Sequence, residues 1–547
     1  MVVRRLPLQP PLRSMSHWFA FPAWLLAALA ALAVWWWLGQ PVPMADVALE
    51  RVPCLSYAPF RGRQAPFDRD LIIPRQQIEE DLRALKPVTA CVRTYAVNQG
   101  LAEVPRIAQG LGMTVLQGVW IGAEAARNYR EIETAIALAR HYPDTVKALV
   151  VGNEVLLRQE QPAAALIAMI QRVKAAVPVP VTYADVWEFW ERNPQVAPAV
   201  DFVTIHTLPY WEDDPVAIAD AVPHVGATWA RVQALFPEKP VFIGEAGWPS
   251  AGRMREDALP SLLNQTRFTR EILRLAAEKG FGVNLVEAFD QPWKRKFEGT
   301  VGGHWGLVDA DRRAKVTLKG PVEPHPGWPK RFAVAAALAG LGMLAIARVA
   351  RLRPLAWLGL ALSAHAAAAA LVIAWGDIEA QSRTLAEWAL GLAQLALAAA
   401  VPALAALAIA AGGGTFVPAH TLLAALQVRR LPDAAPLAIA LSALRLAVLV
   451  AAAAHSLALI ADPRYRDFPV ALYAGPALAL ASLTAWGTGF PVGADRREER
   501  LLAWLLAAAG AVVALVEGPR NVQALAWLVT ASVIALSILS HRPSSRR

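Results

Sequence analysis

The chain has 547 residues, 56% of them hydrophobic, and a formal net charge of +9. That length exceeds one ordinary domain and that apolar share exceeds a purely soluble protein, so part of the chain is expected in a membrane. Nucleic acid is not an expected partner, because many arginines stand at the ends of apolar segments and no basic stripe interleaved with aromatics runs through the globular part.

In chain order, residues 1–17 are predicted to remain cytoplasmic: Arg4, Arg5 and Arg13 precede an apolar run, 18–38, long enough to cross a bilayer. Trp35, Trp36 and Trp37 occupy its end, where a cleaved leader would carry small residues, so the run reads as an uncleaved signal anchor. The chain beyond Gln40 then emerges on the far side of the membrane.

Residues 51–320 carry eight strand-like runs: Val52 to Tyr57, Ala90 to Tyr95, Thr114 to Trp120, Ala148 to Asn153, Val179 to Tyr183, Phe202 to His206, Val241 to Glu245 and Gly282 to Ala288. Stretches of helical periodicity fall between them, as in Arg75 to Leu85, Arg130 to His141, Pro162 to Ala176 and Leu259 to Lys279. This alternation predicts an α/β fold, a (β/α)8 TIM barrel. The competing doubly wound sheet lacks support, since no glycine-rich phosphate fingerprint follows a strand. The two cysteines, Cys54 and Cys91, lie at similar depth in neighbouring strands. Two buried free thiols are the preferred reading and an exported disulfide the other. Neither cysteine has a ligand at zinc spacing.

A proline-rich linker, 321–331, leads into 332–540, which is dominated by Ala, Leu and Val and reads as an all-α polytopic domain of about seven transmembrane helices. The spans are expected near 332–347, 355–375, 384–411, 437–460, 469–490, 501–516 and 522–540. Threading them places Arg348 to Arg353, Arg429, Arg430, Arg496 to Arg500 and the tail, 541–547, on the cytoplasmic side, with both termini. Within spans, Arg445 is close enough to an end to snorkel, whereas His365 and His455 invite a functional reading. The Asp-x-Asp patterns at Asp68 to Asp70 and Asp309 to Asp311 read as loop residues, which argues against a sugar-nucleotide synthase.

Gly152-Asn153-Glu154 and Gly244-Glu245-Ala246-Gly247-Trp248-Pro249 each close a β-branched apolar run, so each glutamate stands where a buried strand leaves its sheet. Two carboxylates raised from separate strands onto one barrel face suit the acid/base and nucleophile of a retaining glycosidase, about 5 to 5.5 Å apart. Asn153 is placed to donate to a sugar hydroxyl, Arg93 and Tyr95 to hold the nucleophile charged, and His206 and Tyr210 to orient it; a turn or core role is the alternative for each. Among the tryptophans of the later loops, Trp187, Trp190, Trp211, Trp248, Trp293 and Trp305, the foremost candidates for stacking on sugar are Trp248 and Trp293. Glu287 and Lys294 either bind hydroxyls or form a buried salt bridge.

These motifs, with Val92-Arg93-Thr94-Tyr95 and Glu287-Ala288-Phe289-Asp290-Gln291-Pro292-Trp293-Lys294, resemble glycoside hydrolase family 17 in order and placement. The resemblance covers the exported half only. It implies a retaining enzyme of β-1,3-glucan with Glu154 as acid/base and Glu245 as nucleophile, needing no cofactor and no metal. Gln291 departs from the acidic residue many relatives carry. Polytopic bacterial members are associated with making or remodelling β-1,3/β-1,6-glucan, which implies a multi-pass protein of the bacterial inner membrane with its barrel outside. Its partners would be β-glucan, membrane lipid and a separate glucan synthase. Transglycosylation is preferred over hydrolysis. The other class of function is a non-catalytic barrel that grips or exports glucan made by that synthase.

Overall fold

The structure is a computed structural model that describes residues 17–462 and 464–540. Arg4, Arg5 and Arg13 and the tail from residue 541, expected to mark the cytoplasmic side, lie outside the described residues. The chain divides into two compact units, Pro41–Pro324 and the segment up to Gln40 together with everything from His325.

The first unit is a closed barrel of eight parallel strands in sequential order, β1 (Leu55–Ser56), β2 (Cys91–Arg93), β3 (Thr114–Val119), β4 (Val146–Asn153), β5 (Val181–Val186), β6 (Val203–His206), β7 (Val241–Ala246) and β8 (Val283–Leu285). Each strand is buried because helices cover the outside, which is why the strands read as apolar runs. Helices such as Arg75–Leu85, Ala125–His141, Ala163–Lys174, Ile218–Leu235 and Leu262–Lys279 form that cover. The last begins three residues later than the periodicity suggests, because the Ser261 side chain caps it by accepting from the Asn264 N–H at 3.0 Å. The eighth strand is shorter than its apolar run. Beyond Leu285 the regular ladder ends: Val286 and Ala288 still donate to Ala246 and Ser56, but the Glu287 N–H donates to the Trp305 carbonyl at 3.0 Å while the Glu287 carbonyl accepts from the Leu307 N–H at 2.8 Å.

The preferred reading of the cysteines is overturned: Cys54 and Cys91 form a disulfide. The parallel register pairs Leu55 with Val92, so the two preceding residues face each other across the ladder. Sequence gives depth, whereas register decides the partner.

The second unit is all helical. Among the described residues, seven helices are long and apolar enough to cross a membrane: His17–Leu38, Trp328–Ala347, Pro354–Gln381, Leu385–Ala410, Pro436–Ala461, Arg497–Glu517 and Val522–Leu539. The span expected at 469–490 is instead the 16-residue helix Val470–Ala485, about 24 Å at 1.5 Å per residue and short of a hydrocarbon core of about 30 Å. It stops where Gly487 turns left-handed at φ 83°.

Arg445 does not snorkel. It is buried, its guanidinium donates to Glu499 at 3.1 Å, and Phe416 and Phe490 each lie 4.5 Å from it. The two phenylalanines come from neighbouring turns joined by the Phe416 N–H to the Gly489 carbonyl at 2.8 Å. His455 shares a hydrogen bond with the Tyr473 hydroxyl at 2.9 Å, and buried His365 sits 6.0 Å from the Trp24 ring. Both histidines are therefore packed against aromatic neighbours within the helical unit.

Candidate active site

Glu154 is delivered by a sharp exit from β4. Gly152 takes φ 90° and Glu154 itself φ 53°, so the chain turns out of the sheet and lifts the carboxylate onto the mouth. A Cβ at Gly152 would stand 2.7 Å from Val155 Cγ2. The turn is clamped from β5: the Leu156 N–H donates to the Tyr183 hydroxyl at 3.0 Å and the Leu157 N–H to Asp185 Oδ2 at 3.4 Å.

Glu245 is delivered by β7, with His206 of β6 directly beside it in the register. The glycine before it is a matter of space, since a Cβ at Gly244 would meet Thr204 Cγ2 at 2.4 Å. Arg93 crosses the barrel from β2 and binds three groups at once: its Nη1 donates to Glu245 Oε1 at 2.6 Å and to the Gly244 carbonyl at 3.2 Å, and its Nη2 donates to Asn153 Oδ1 at 2.5 Å. The Tyr95 hydroxyl donates to the same Glu245 oxygen at 2.9 Å. His206 bridges the two glutamates, with Nδ1 2.9 Å from Glu154 Oε1 and Nε2 3.7 Å from Glu245 Oε1. One oxygen of each glutamate and one nitrogen of His206 all lie within 4.8 Å of one another. Among the described residues this is the one trio whose donor types and distances would suit a cation, but Glu245 Oε1 already accepts from Arg93 and Tyr95.

The electrostatics separate the groups. Burial pushes the Glu245 carboxyl up, but the charges of His206, Arg93 and Lys294 and the Tyr95 hydroxyl outweigh it and hold it below the ordinary carboxylate range. Burial pushes Glu287 up to about 7 in spite of Lys294, and Asp185 up to about 6 in spite of Tyr183 and His206.

The sequence-predicted residues divide in four. Glu154, Glu245, Asn153, Arg93, Tyr95 and His206 converge at the mouth. Glu287 and Lys294 form a buried ion pair at 3.0 Å beside them. Tyr210 and Trp248 belong to packing: the Tyr210 hydroxyl donates to the Arg253 carbonyl at 2.7 Å, and Trp248, 1% exposed, donates from Nε1 to the Leu259 carbonyl at 3.0 Å. Their loops reach the mouth, but their rings turn into the core. Trp293 stays half-buried, with its indole N–H on Gln291 Oε1 at 2.8 Å. Sequence reasoning passed over Tyr183 and Asp185. An aspartate inside a run such as Val181 to Val186 was the signal for them, because a buried carboxylate in a parallel strand needs a reason.

The profile of the BtgE/BtgC glycoside hydrolase domain matches residues 54–306. A glucan 1,3-beta-glucosidase of Schizosaccharomyces pombe is 30% identical over 258 residues, covering 44% of this chain and 79% of the yeast protein. The chain belongs to glycoside hydrolase family 17. A glucan 1,3-beta-glucosidase of Saccharomyces cerevisiae is 27% identical over 269 residues, covering 84% of its own length. The family 17 beta-1,3-glucanosyltransferase of Rhizomucor miehei is similar in structure, with 27% identity, 98% of that chain and 49% of this one covered, and a TM-score of 0.44. The profile match falls within the barrel unit.

Proposed function

We propose that this family 17 barrel is a retaining enzyme of β-1,3-glucan that remodels or branches the polymer outside the cytoplasmic membrane. The observation that carries the chemistry is the pairing of Glu154 with Glu245 inside 4.8 Å, one of them held ionised by Arg93 and Tyr95. This is the spacing of retention; inversion needs about 6.5–9.5 Å to admit a water.

Glu245 is the nucleophile. Its free carboxylate oxygen attacks the anomeric carbon while Glu154 gives its proton to the departing glycosidic oxygen, leaving a glucosyl ester on Glu245. Glu154, now a carboxylate, takes a proton from an incoming hydroxyl, whose oxygen displaces Glu245 from the sugar. His206 orients Glu154. Asn153, its Oδ1 occupied by Arg93, turns its amide N–H toward the sugar hydroxyls, and a contact there that tightens in the transition state speeds the step. No step requires a cofactor. An acceptor sugar in place of water gives transglycosylation, which membrane retention beside a polymer-making system favours.

Three features support the orientation. Arginines cluster at alternate loops, the loops between them carry balanced charge, and the barrel holds a disulfide, which suits an oxidising compartment. A separate glucan synthase in the same membrane would supply the substrate.

The test is product analysis with defined β-1,3-gluco-oligosaccharides, for the purified full chain and its Glu245→Gln variant. Longer or newly linked products, absent with the variant, are expected. Shorter products alone would make the enzyme a hydrolase. Absence of turnover by the folded protein would leave only glucan binding.

A further inference from the structure

With Trp248 buried, the mouth lacks one of its two foremost predicted stacking surfaces, yet exposed rings gather at another place. Phe67, in the loop after β1, is 62% exposed, and Phe297, in the loop after β8, is 56% exposed. Their centroids are 4.6 Å apart, and Trp293 stands 5.7 Å from the first and 6.4 Å from the second. Buried Phe60 supports Trp293 edge-on at 6.0 Å. Loops that expose two phenylalanines side by side leave an apolar surface in water, which is costly unless something covers it.

The cluster is also built. Gln291 Oε1 accepts the Trp293 indole N–H at 2.8 Å, and its Nε2 donates to the Ala58 carbonyl at 2.8 Å, so one carboxamide ties the β8 loop to the β1 loop. An ionised glutamate in that place would accept the indole but have nothing to give Ala58. The departure at Gln291 thus has a structural consequence: it fixes the ring against the neighbouring loop.

The location identifies the occupant. Lys294, next to Trp293 in the chain, pairs with Glu287 at 3.0 Å and helps hold Glu245 ionised. The ring cluster therefore borders the nucleophile on the β8 and β1 side of the mouth, and Glu154 stands across it at the end of β4. Because Glu154 protonates the oxygen that leaves, the leaving sugar lies on the Glu154 side, and the donor chain extends the other way, over the rings. The apolar C–H faces of pyranose rings suit such a surface.

We propose that Phe67 and Phe297, with Trp293, form a stacking platform for the donor glucan beyond the sugar that reacts, so that the enzyme selects long donors. This rests on the β-1,3-glucan reading of the same site. The experiment compares kcat/KM for laminaribiose through laminarihexaose in the full-length protein, its Phe67→Ala/Phe297→Ala variant, Phe67→Trp and Gln291→Glu. The ratio of long-donor to short-donor kcat/KM should fall roughly tenfold in the double alanine variant, mainly through KM, as expected for losing aromatic contact area. Phe67→Trp should keep the ratio, and Gln291→Glu should lower it by releasing Trp293 with every ring still present. An unchanged ratio, or equal loss at every length, overturns the platform while leaving the β-1,3-glucan reading intact. Failure of the unaltered protein to turn over or bind any of these oligosaccharides overturns both.

Discussion

The barrel and the helical unit each bury an arginine against a glutamate, and the two pairs are made of the same groups to different ends. Arg93 meets Glu245 at 2.6 Å and Arg445 meets Glu499 at 3.1 Å, with both arginines 1% exposed. Around Glu245 stand a tyrosine hydroxyl, a histidine and a second carboxylate, and the mouth opens above it. Around Arg445 stand two phenyl rings, while its Nε and Nη1 and Glu499 Oε2 find no hydrogen-bond partner among the described residues. An ion pair serves chemistry where a reacting group can reach it; Arg93 engages both its Nη atoms there, and only its Nε is without a hydrogen-bond partner among the described residues. Closed in by aromatic rings, the same pair serves to fix helices, and it does so at a desolvation cost.

The largest expected effects test this contrast. Arg93→Met should lower turnover by about 10²–10³-fold, the usual result of deleting a donor that stabilises charge in a closed site. Arg445→Met should leave Glu499 buried and unpaired and cost about 3–5 kcal/mol of stability, whereas Arg445→Met with Glu499→Leu should recover most of it. Thermal unfolding in detergent and oligosaccharide turnover, measured on all three, separate the two roles. If the double variant regains stability but loses glucan turnover, the pair in the helical unit has a task beyond packing and the contrast fails.

Next in size is the disulfide, which only the barrel has among the described residues. Replacing Cys54 and Cys91 by alanine should cost about 2–4 kcal/mol, since the bond closes a loop across the first βα unit. Unfolding followed by near-ultraviolet circular dichroism should show the barrel transition move down while the helical transition stays. A silent replacement would mean that the eight-strand closure alone sustains β1 against β2.

The two units also differ in how far they can be read from sequence. Strand positions were legible, because parallel strands covered on both sides must be apolar throughout, and glutamates closing such runs at Asn153 and Gly244 stand out. What required the third dimension was direction and register. The cysteines fell at equal depth, but only the Leu55–Val92 register sets them face to face. Trp248 and Tyr210 lay in mouth loops, but their rings turn inward. In the helical unit, apolar length found the long helices and missed the early stop at Gly487. Glu499 stands at a helix start crowded with charge, and its partner Arg445 is 54 positions away in the chain, so the pair is visible only in three dimensions. Phe67 and Phe297 escaped notice because a single phenylalanine in a loop carries no periodicity.

The smallest effect expected concerns the Tyr95 hydroxyl, one of two side-chain donors on Glu245 Oε1. Tyr95→Phe keeps the ring, which lies 4.7 Å from the Arg93 guanidinium, and removes only the O–H. A hydrogen bond to a charged group is worth about 1.5–3 kcal/mol, so kcat/KM should fall roughly 10- to 100-fold at neutral pH. The sign of the pH effect follows from the proposed nucleophile, Glu245, being needed as an anion. Glu245 sits below its ordinary value of 4.5 because its donors favour the charged form; losing one raises it, and the acid limb of the kcat/KM profile moves to higher pH. Stability moves in the same sense. The lowered carboxyl stabilises the fold above the unfolded value and loses that contribution as pH falls through its folded value, so the variant should begin to lose stability at a higher pH than the unaltered protein. A drop in turnover with no shift of the acid limb would mean that Tyr95 positions substrate and that Arg93 alone keeps Glu245 charged, which would bring the barrel pair closer in character to the pair in the helical unit.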